Sequence, residues 1–390
     1  MNSCRGIALV AACGLTLLLF GCRTDLGQEK RAAGRQASES INELRKAAER
    51  GEAKAQLDLG KKYSNGEGVA EDDVKAAEWI RKAADQGYAA AQLELAGLYE
   101  NGIGVTRDYT EGAGWARKAA EQGYAPAQCQ LGRLYSVGQG VAKDDAQAAR
   151  WIRAAADHGD ANAQADLGEM YSKGQGVPKD HVQAVNWYGK AADQGNYDAL
   201  MSLMNMYNLG EGVPEDHAEE LRWLRKGAEK GHAYFQMLLG ERLLDGLEVR
   251  QSYTEAIFWF RKAAEQGNTF AQESLGDMYH EGRGVLQDYS EAASWYRKAA
   301  EVGSDSGQYS LGNMYARGEG VPRDFVEAYM WLNLAAAEAP AGKIRDQRAQ
   351  ERDLVTEKMT ATQITEGQRR AREWNPKGWA WKFPYRDRVH

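Results

Sequence analysis

Eight tryptophans stand at a constant step of 36 residues along this chain: Trp79, Trp115, Trp151, Trp187, Trp223, Trp259, Trp295 and Trp331. A period of that length marks a repeat array, in which one supersecondary unit is stacked many times. Such a chain does not need a common centre. Each unit buries its apolar face only against its neighbours, so 390 residues can fold without a single large core. Around Trp295 the unit reads Leu275-Gly276, Tyr279, Gly282, Gly284-Val285, Asp288, Glu291-Ala292, Trp295-Tyr296, Arg297-Lys298-Ala299-Ala300 and Gly303.

The spacing predicts two helices per unit, A and B. In the third unit Ala127, Leu131, Leu134 and Tyr135 fall at i, i+4, i+7 and i+8, one apolar face of helix A. Gly132 on that face admits a close neighbour. Gly138 supplies a left-handed C-cap and Gly140 the turn. Asp144 is the N-cap of helix B, and Gln147 three residues on completes a capping box. The box recurs as Asp108/Glu111, Asp180/Gln183, Asp216/Glu219, Ser252/Glu255, Asp288/Glu291 and Asp324/Glu327, while the first unit sets Lys75 opposite Asp72. Helix B turns Trp151, Ile152 and Ala155 inward and ends at Gly159. The Arg-Lys pairs near its close, such as Arg297-Lys298, suit the negative end of the helix dipole.

These residues resemble the Sel1-like repeat family, relatives of the tetratricopeptide repeats. The resemblance covers eight units at 52–87, 88–123, 124–159, 160–195, 196–231, 232–267, 268–303 and 304–339. It implies an all-α fold: an α/α right-handed superhelical solenoid of eight 36-residue repeats with helical caps, helices A lining the concave side. It also implies an adaptor that holds proteins together, often in bacterial envelope assembly, signalling or host contact. Two units depart from the pattern. In the fifth, Leu200 replaces the recurring Gln and Met204 the recurring Gly. In the sixth, Leu243 replaces Tyr, and Glu248 stands where a second glycine is usual. Such breaks mark either functional sites or drift repacked with Met.

Outside the repeats, residues 1–21 read as a signal peptide: Arg5 is the positive n-region, and Ile7 to Phe20 is an apolar run too short to span a bilayer comfortably. Leu19-Phe20-Gly21-Cys22 resembles the end of a bacterial lipoprotein signal, with Cys22 as the lipidated residue; ordinary secretion is the alternative. Arg23 after the cysteine, by analogy with enteric bacteria, favours the outer membrane, facing the periplasm. Residues 22–37 are the lipidated Cys and a tether. Residues 38–51 form an N-terminal capping helix, with Ser40 and Glu43 as its capping box. After Pro340, residues 340–374 give C-terminal capping helices, the second opened by Thr360 and Gln363. Residues 375–390 are a tail with Trp379, Trp381, Phe383 and Tyr385 among basic residues. It reads as a ligand segment, a membrane contact or a strand of chain folded back on its own domain.

Little in the sequence suggests chemistry. The net charge of −7 excludes the basic stripe that nucleic acid needs. Cys4, Cys13 and Cys22 lie at the N-terminus, and Cys129 alone in the repeats permits no intrachain framework there. It reads as a small apolar residue on a helix. His181 and His217 share a slot in adjacent units, too far apart for one metal. No metalloprotease, nucleophile-elbow or phosphate-loop motif is present. The expectation is no catalytic residue, no metal and no small-molecule cofactor. Some cysteine-rich Sel1-like proteins carry a disulfide in each repeat and are associated with penicillin binding; this chain lacks those cysteines.

A second stripe on helix A, one residue before the recurring Ala and then at +4 and +7, varies from unit to unit. It holds Pro126, Gln130 and Arg133; Asn162, Asp166 and Glu169; Asp198, Ser202 and Asn205; Tyr234, Leu238 and Glu241; Phe270, Ser274 and Asp277. Structural residues repeat, whereas partner-reading residues vary. Arg133, Glu169, Asn205, Tyr234, Leu238, Glu241, Phe270 and Asp277 are therefore the expected partner-binding set. Tyr234, Leu238 and Phe270, apolar on a polar stripe, suggest a hot spot. The reading is an envelope-anchored scaffold holding a protein or peptide across units four to seven, with membrane contact through its lipid. The rivals are a peptidoglycan-acting enzyme of the penicillin-binding kind and a surface-exposed virulence factor engaging host proteins.

Overall fold

The computed structural model describes residues 40–376. Among them are nineteen helices and no strand. A first helix, α1, covers 40–49. The A helices are α2 (Ala53–Asn65), α4 (Ala89–Asn101), α6 (Ala125–Val137), α8 (Ala161–Lys173), α10 (Tyr197–Leu209), α12 (Ala233–Asp245), α14 (Thr269–Glu281) and α16 (Asp305–Arg317). The B helices are α3 (Asp73–Asp85), α5 (Tyr109–Glu121), α7 (Asp145–Asp157), α9 (His181–Asp193), α11 (His217–Glu229), α13 (Tyr253–Glu265), α15 (Tyr289–Glu301) and α17 (Phe325–Glu338). Two more, α18 (Lys343–Thr356) and α19 (Ala361–Glu373), follow the repeats. The result is an all-α repeat solenoid. The described residues divide into two compact units at Ala191 and Ala192, inside α9. The leader, Cys22, the tether and the aromatic tail from Lys377 onward lie outside the described residues. So does the N-cap of α1, since Ser40 is already helical.

Each hairpin closes by local bonding. Helix α6 ends on Gly138 at φ 77°, and Gly140 follows at φ 70°. A Cβ at Gly140 would lie 2.0 Å from the Tyr109 carbonyl oxygen of the preceding helix B, so a side chain there would force the turn off α5. The Asp, or Ser252 in the sixth repeat, at the start of helix B accepts the N3 amide as expected, Gln147 N–H at 3.0 Å from Asp144 and Glu291 N–H at 3.0 Å from Asp288. The reciprocal half of the capping box does not form in the repeats. The cap's own N–H donates instead to the helix-A carbonyl nine residues back, Asp144 to Tyr135 at 3.0 Å and Asp288 to Tyr279 at 3.0 Å. That bond closes the A–B turn and leaves the N3 side chain nothing to reach. Both halves form at Thr360 and Gln363, where no helix A precedes.

In the first unit, small residues let the hairpin close tightly. A Cβ on Gly132 would meet Ile152 Cγ1 at 2.4 Å and the Ala148 carbonyl at 3.1 Å, which is how near α7 crosses α6. Ile152 and Ala155 are fully buried, while Trp151 is only partly so. Trp115 and Trp187 are buried. The Arg-Lys pair on helix B does more than answer the dipole. Lys118 lies 3.6 Å from the centre of the Trp115 indole, a cation–π contact of about 0.5–1 kcal/mol at a partly exposed site. Arg117 donates to the Tyr135 hydroxyl of the next helix A at 2.9 Å. The recurring buried glutamine also joins neighbours: Gln92 Nε2 donates to the Ala84 carbonyl at 3.2 Å, and Gln92 Oε1 accepts from Gln122 Nε2 at 2.7 Å. It thereby adds a side-chain donor to a helix-B end carbonyl that also accepts the Gly87 amide at 2.9 Å.

The second unit uses the same devices at α13 to α16, with Lys298 on Trp295 at 3.6 Å and Arg297 on Tyr315 at 2.7 Å. It also resizes its contacts. Phe235 replaces the small residue found at that slot in every other repeat, and Gly227 faces it. A Cβ on Gly227 would lie 2.4 Å from the Phe235 ring. The ring is fully buried, so a large residue and an absent one share the space of two alanines. Beyond the repeats, α18 turns Arg348 inward. Its guanidinium pairs with Asp305, bonds Ser306 at 3.3 Å and lies 5.6 Å from the centre of the Tyr309 ring. Trp374, after α19, packs edge-on to Trp331 at 6.1 Å.

Candidate protein-binding face

The variable stripe runs along one side of each helix A, and cross-repeat bonds show how adjacent stripes meet. In the first unit the +7 residue of one helix reaches the +4 residue of the next. Lys61 pairs with Glu94 at 2.5 Å, and Arg133 grips Asp166 with two bonds, at 2.6 and 3.1 Å. Gln130 donates to Glu100 at 2.9 Å. The Asp166 carboxylate holds the Arg133 guanidinium charged, raising its pKa beyond its ordinary value. Glu169 is held by Lys173 one turn on. Arg133 and Glu169 are thus exposed but already matched within the chain. Cys129 lies buried beneath this pair, its Sγ 3.7 Å from Asp166, and burial pushes its thiol up to about 12. That is an inert thiol.

The second unit's stripe has a different character. Tyr234 and Phe270 occupy the same first-turn slot on α12 and α14 and remain 39% and 44% exposed. Leu238 and Glu241 are half-buried, and Asn205 and Asp277 are exposed. Tyr234 stands edge-on to buried Phe235 at 6.1 Å, which limits the positions its ring can take. Asp277 accepts from the Tyr296 hydroxyl at 2.6 Å. Desolvation by the surrounding helices nonetheless raises its pKa, and does the same to the Glu273 carboxyl, which accepts from Ser304.

A polar cluster in this unit was not foreseen. Glu220, buried on α11, stands where the other repeats have Ala or Gly. Arg242 on α12 stands where six of them have Leu or Met. Arg242 bonds Glu220 at 3.2 Å and Glu248 at 2.7 Å, while His217 lies 3.4 Å from Glu220 and 3.6 Å from Glu248. Glu248 keeps the left-handed backbone of the glycine it replaces, at φ 61°. Such a conformation costs of order 1–3 kcal/mol and is held here by the pairing. Glu220, Arg242 and Glu248 are a set, joined by these bonds. The sequence carried the signal at each slot, but only read together. Imidazole and both carboxylates lie within 4.8 Å of one another, a spacing a metal ion could bridge. Arg242 already neutralises the carboxylates, so the cluster is an ion-pair network. Hydrogen bonding to Glu220, with Glu248 and Glu215 nearby, raises the His217 pKa.

The Sel1 repeat family model matches the chain eight times, at residues 53–88, 89–124, 125–160, 161–196, 199–232, 233–268, 269–304 and 305–339. These bounds fall within a few residues of the 36-residue units. A solved Sel1 repeat protein from Oxalobacter formigenes is 34% identical, with 80% of this chain and 89% of that one covered and a TM-score of 0.54. The crystal structure of a protective antigen present in uropathogenic Escherichia coli strains, displaying an SLR fold, is 29% identical over 87% of this chain and 96% of that one, with a TM-score of 0.51. No curated protein matches the chain.

Proposed function

The chain belongs to the Sel1 repeat family, and on that premise we propose that it is an envelope-anchored adaptor holding a protein or peptide on the helix-A face of its second unit. Repeats of this family and their tetratricopeptide relatives generally mediate protein–protein interactions. The observation that carries the finer reading is the pair Tyr234 and Phe270. Two exposed aromatic rings sit at one slot of adjacent A helices, on a stripe that from unit four to unit seven is otherwise polar except at Leu238. Buried aromatic anchors dominate most interfaces. The first unit's stripe supports the contrast, since its charges are matched internally.

The test places a photoreactive residue at Tyr234 in cells and identifies what it captures. Replacing both rings (Y234A with F270A) removes two hot-spot side chains, each worth about 2 kcal/mol or more. Binding of the captured partner should fall at least tenfold while the helical content stays unchanged. Retained binding with both rings gone would discard the site. Anchoring rests on the leader and Cys22 alone. Acyl-chain labelling of the mature protein tests it: C22S should abolish labelling and release the chain from membranes. A chain still acylated after that change would not be a lipoprotein of this kind.

A further inference from the structure

The second unit's stripe leaves its acids without the bases that answer them in the first. At the slots where Lys61 meets Glu94 and Arg133 meets Asp166, the equivalent residues in the second unit are Glu241 with Ser274 and Asp277 with Ser310. No lysine or arginine occupies the stripe on α10, α12 or α14. Asp198, Glu241 and Asp277 are therefore the charged members of the stripe on these three helices, and all are acidic. Resting on the reading above, we propose that this face takes an extended peptide segment that is basic as well as apolar, supplied by another protein.

Register follows from helix geometry. Tyr234 and Glu241 are seven residues apart on α12, about 10 Å at a rise of 1.5 Å per residue. Phe270 and Asp277 repeat that interval on α14. A peptide in the polyproline II conformation, with three residues per turn and a rise of about 3.1 Å, covers such a distance in about three residues and brings both side chains to one face. The segment that fits carries an aromatic or large aliphatic residue with lysine or arginine about three positions away. Asp277 gains a cation beside the Tyr296 hydroxyl, from which it now accepts at 2.6 Å. An acidic segment of the same apolar content meets like charge and is rejected.

The experiment uses the full chain and two labelled synthetic peptides followed by fluorescence anisotropy at low salt. One sets Trp and Lys three apart, and the other has Glu in place of each Lys. The lysine peptide should bind at least about tenfold more tightly than the glutamate peptide, and added salt should weaken it. E241Q combined with D277N should cost the lysine peptide about tenfold and erase the preference. The melting temperature should not change. Equal binding of the two peptides, or no effect of the double variant, overturns the basic preference while Y234A with F270A still tests the apolar anchors. If that aromatic variant also leaves binding untouched, the site itself fails. Failure of the lysine peptide to bind overturns the proposal, as does binding that appears only after residues 377–390 are removed, which would assign the face to the chain's own end.

Discussion

In the first compact unit Ala119 and Ala127 meet where Gly227 and Phe235 meet in the second. Gly132 lies under Ile152 in the first, whereas the equivalent positions in the second are Met204 and Leu224, both buried. In the first unit Lys61 and Arg133 answer the stripe acids Glu94 and Asp166, whereas the second has Glu241 and Asp277 at the slots of the bases and serines at those of the acids. Both units use one 36-residue plan, yet the second departs from it in matched groups. A repeat interface evidently tolerates change when volume or charge is restored by a facing residue, because close-packed neighbours do not relax freely.

The strongest way to break that comparison is to undo one member of a matched pair. Phe235→Ala should destabilise the second unit by about 3–5 kcal/mol, because it empties a fully buried site between Gly227 and the Tyr197 ring. Adding Gly227→Ala should recover much of the loss by restoring the two-alanine contact of the first unit. Hydrogen exchange across α11 to α13 checks this locally, which suits an array that need not unfold in one step. No recovery in the double variant would show that the pair is not a volume exchange.

Next comes the buried charge. Arg242→Met, the residue of α8, α10, α14 and α16, strips Glu220 of its guanidinium and should cost about 3 kcal/mol. Glu220→Ala alongside it should return stability to the starting level or above, since a well-packed apolar replacement of a buried ion pair is often neutral or favourable. Denaturant midpoints of the single and double variants decide it, and additive losses would contradict a coupled network. In the first unit Asp166→Asn should cost below about 1 kcal/mol, for Arg133 is half exposed and its pair is screened by solvent.

The smallest effect is a pH dependence confined to the second unit. His217 has its pKa raised in the fold by Glu220, Glu248 and Glu215. Its contribution is therefore fully present below the unfolded imidazole's pKa, and is lost as pH rises through the folded value. Thermal midpoints should fall slightly from mildly acid to mildly alkaline pH in the parent chain. His217→Gln should flatten that slope, and a slope unchanged in the variant would place its origin elsewhere.

Much of the candidate site was legible in advance. Tyr234 and Phe270 stand out because the stripe around them is polar, and both remain exposed. What escaped was whether a stripe residue is already engaged. Arg133 looks as available in the sequence as Asn205, but its partner lies 33 residues away. Nor does any short window contain Glu220, Arg242 and Glu248 together, so their network is invisible to a reading by helical turns.

The period, the two-helix unit, the aspartate caps and the glycine turns follow from the sequence because they depend on contacts within one hairpin, where backbone sterics and helix spacing dictate the outcome. Stacking decided the rest. Residues 18, 30 and 33 apart become neighbours only when one hairpin lies on the next, as in Arg117 with Tyr135, Gln122 with Gln92, and Arg133 with Asp166. Those distances are set by the packing of side chains between repeats. No local propensity records them, and so tertiary structure alone settled which charges are matched and which face outward.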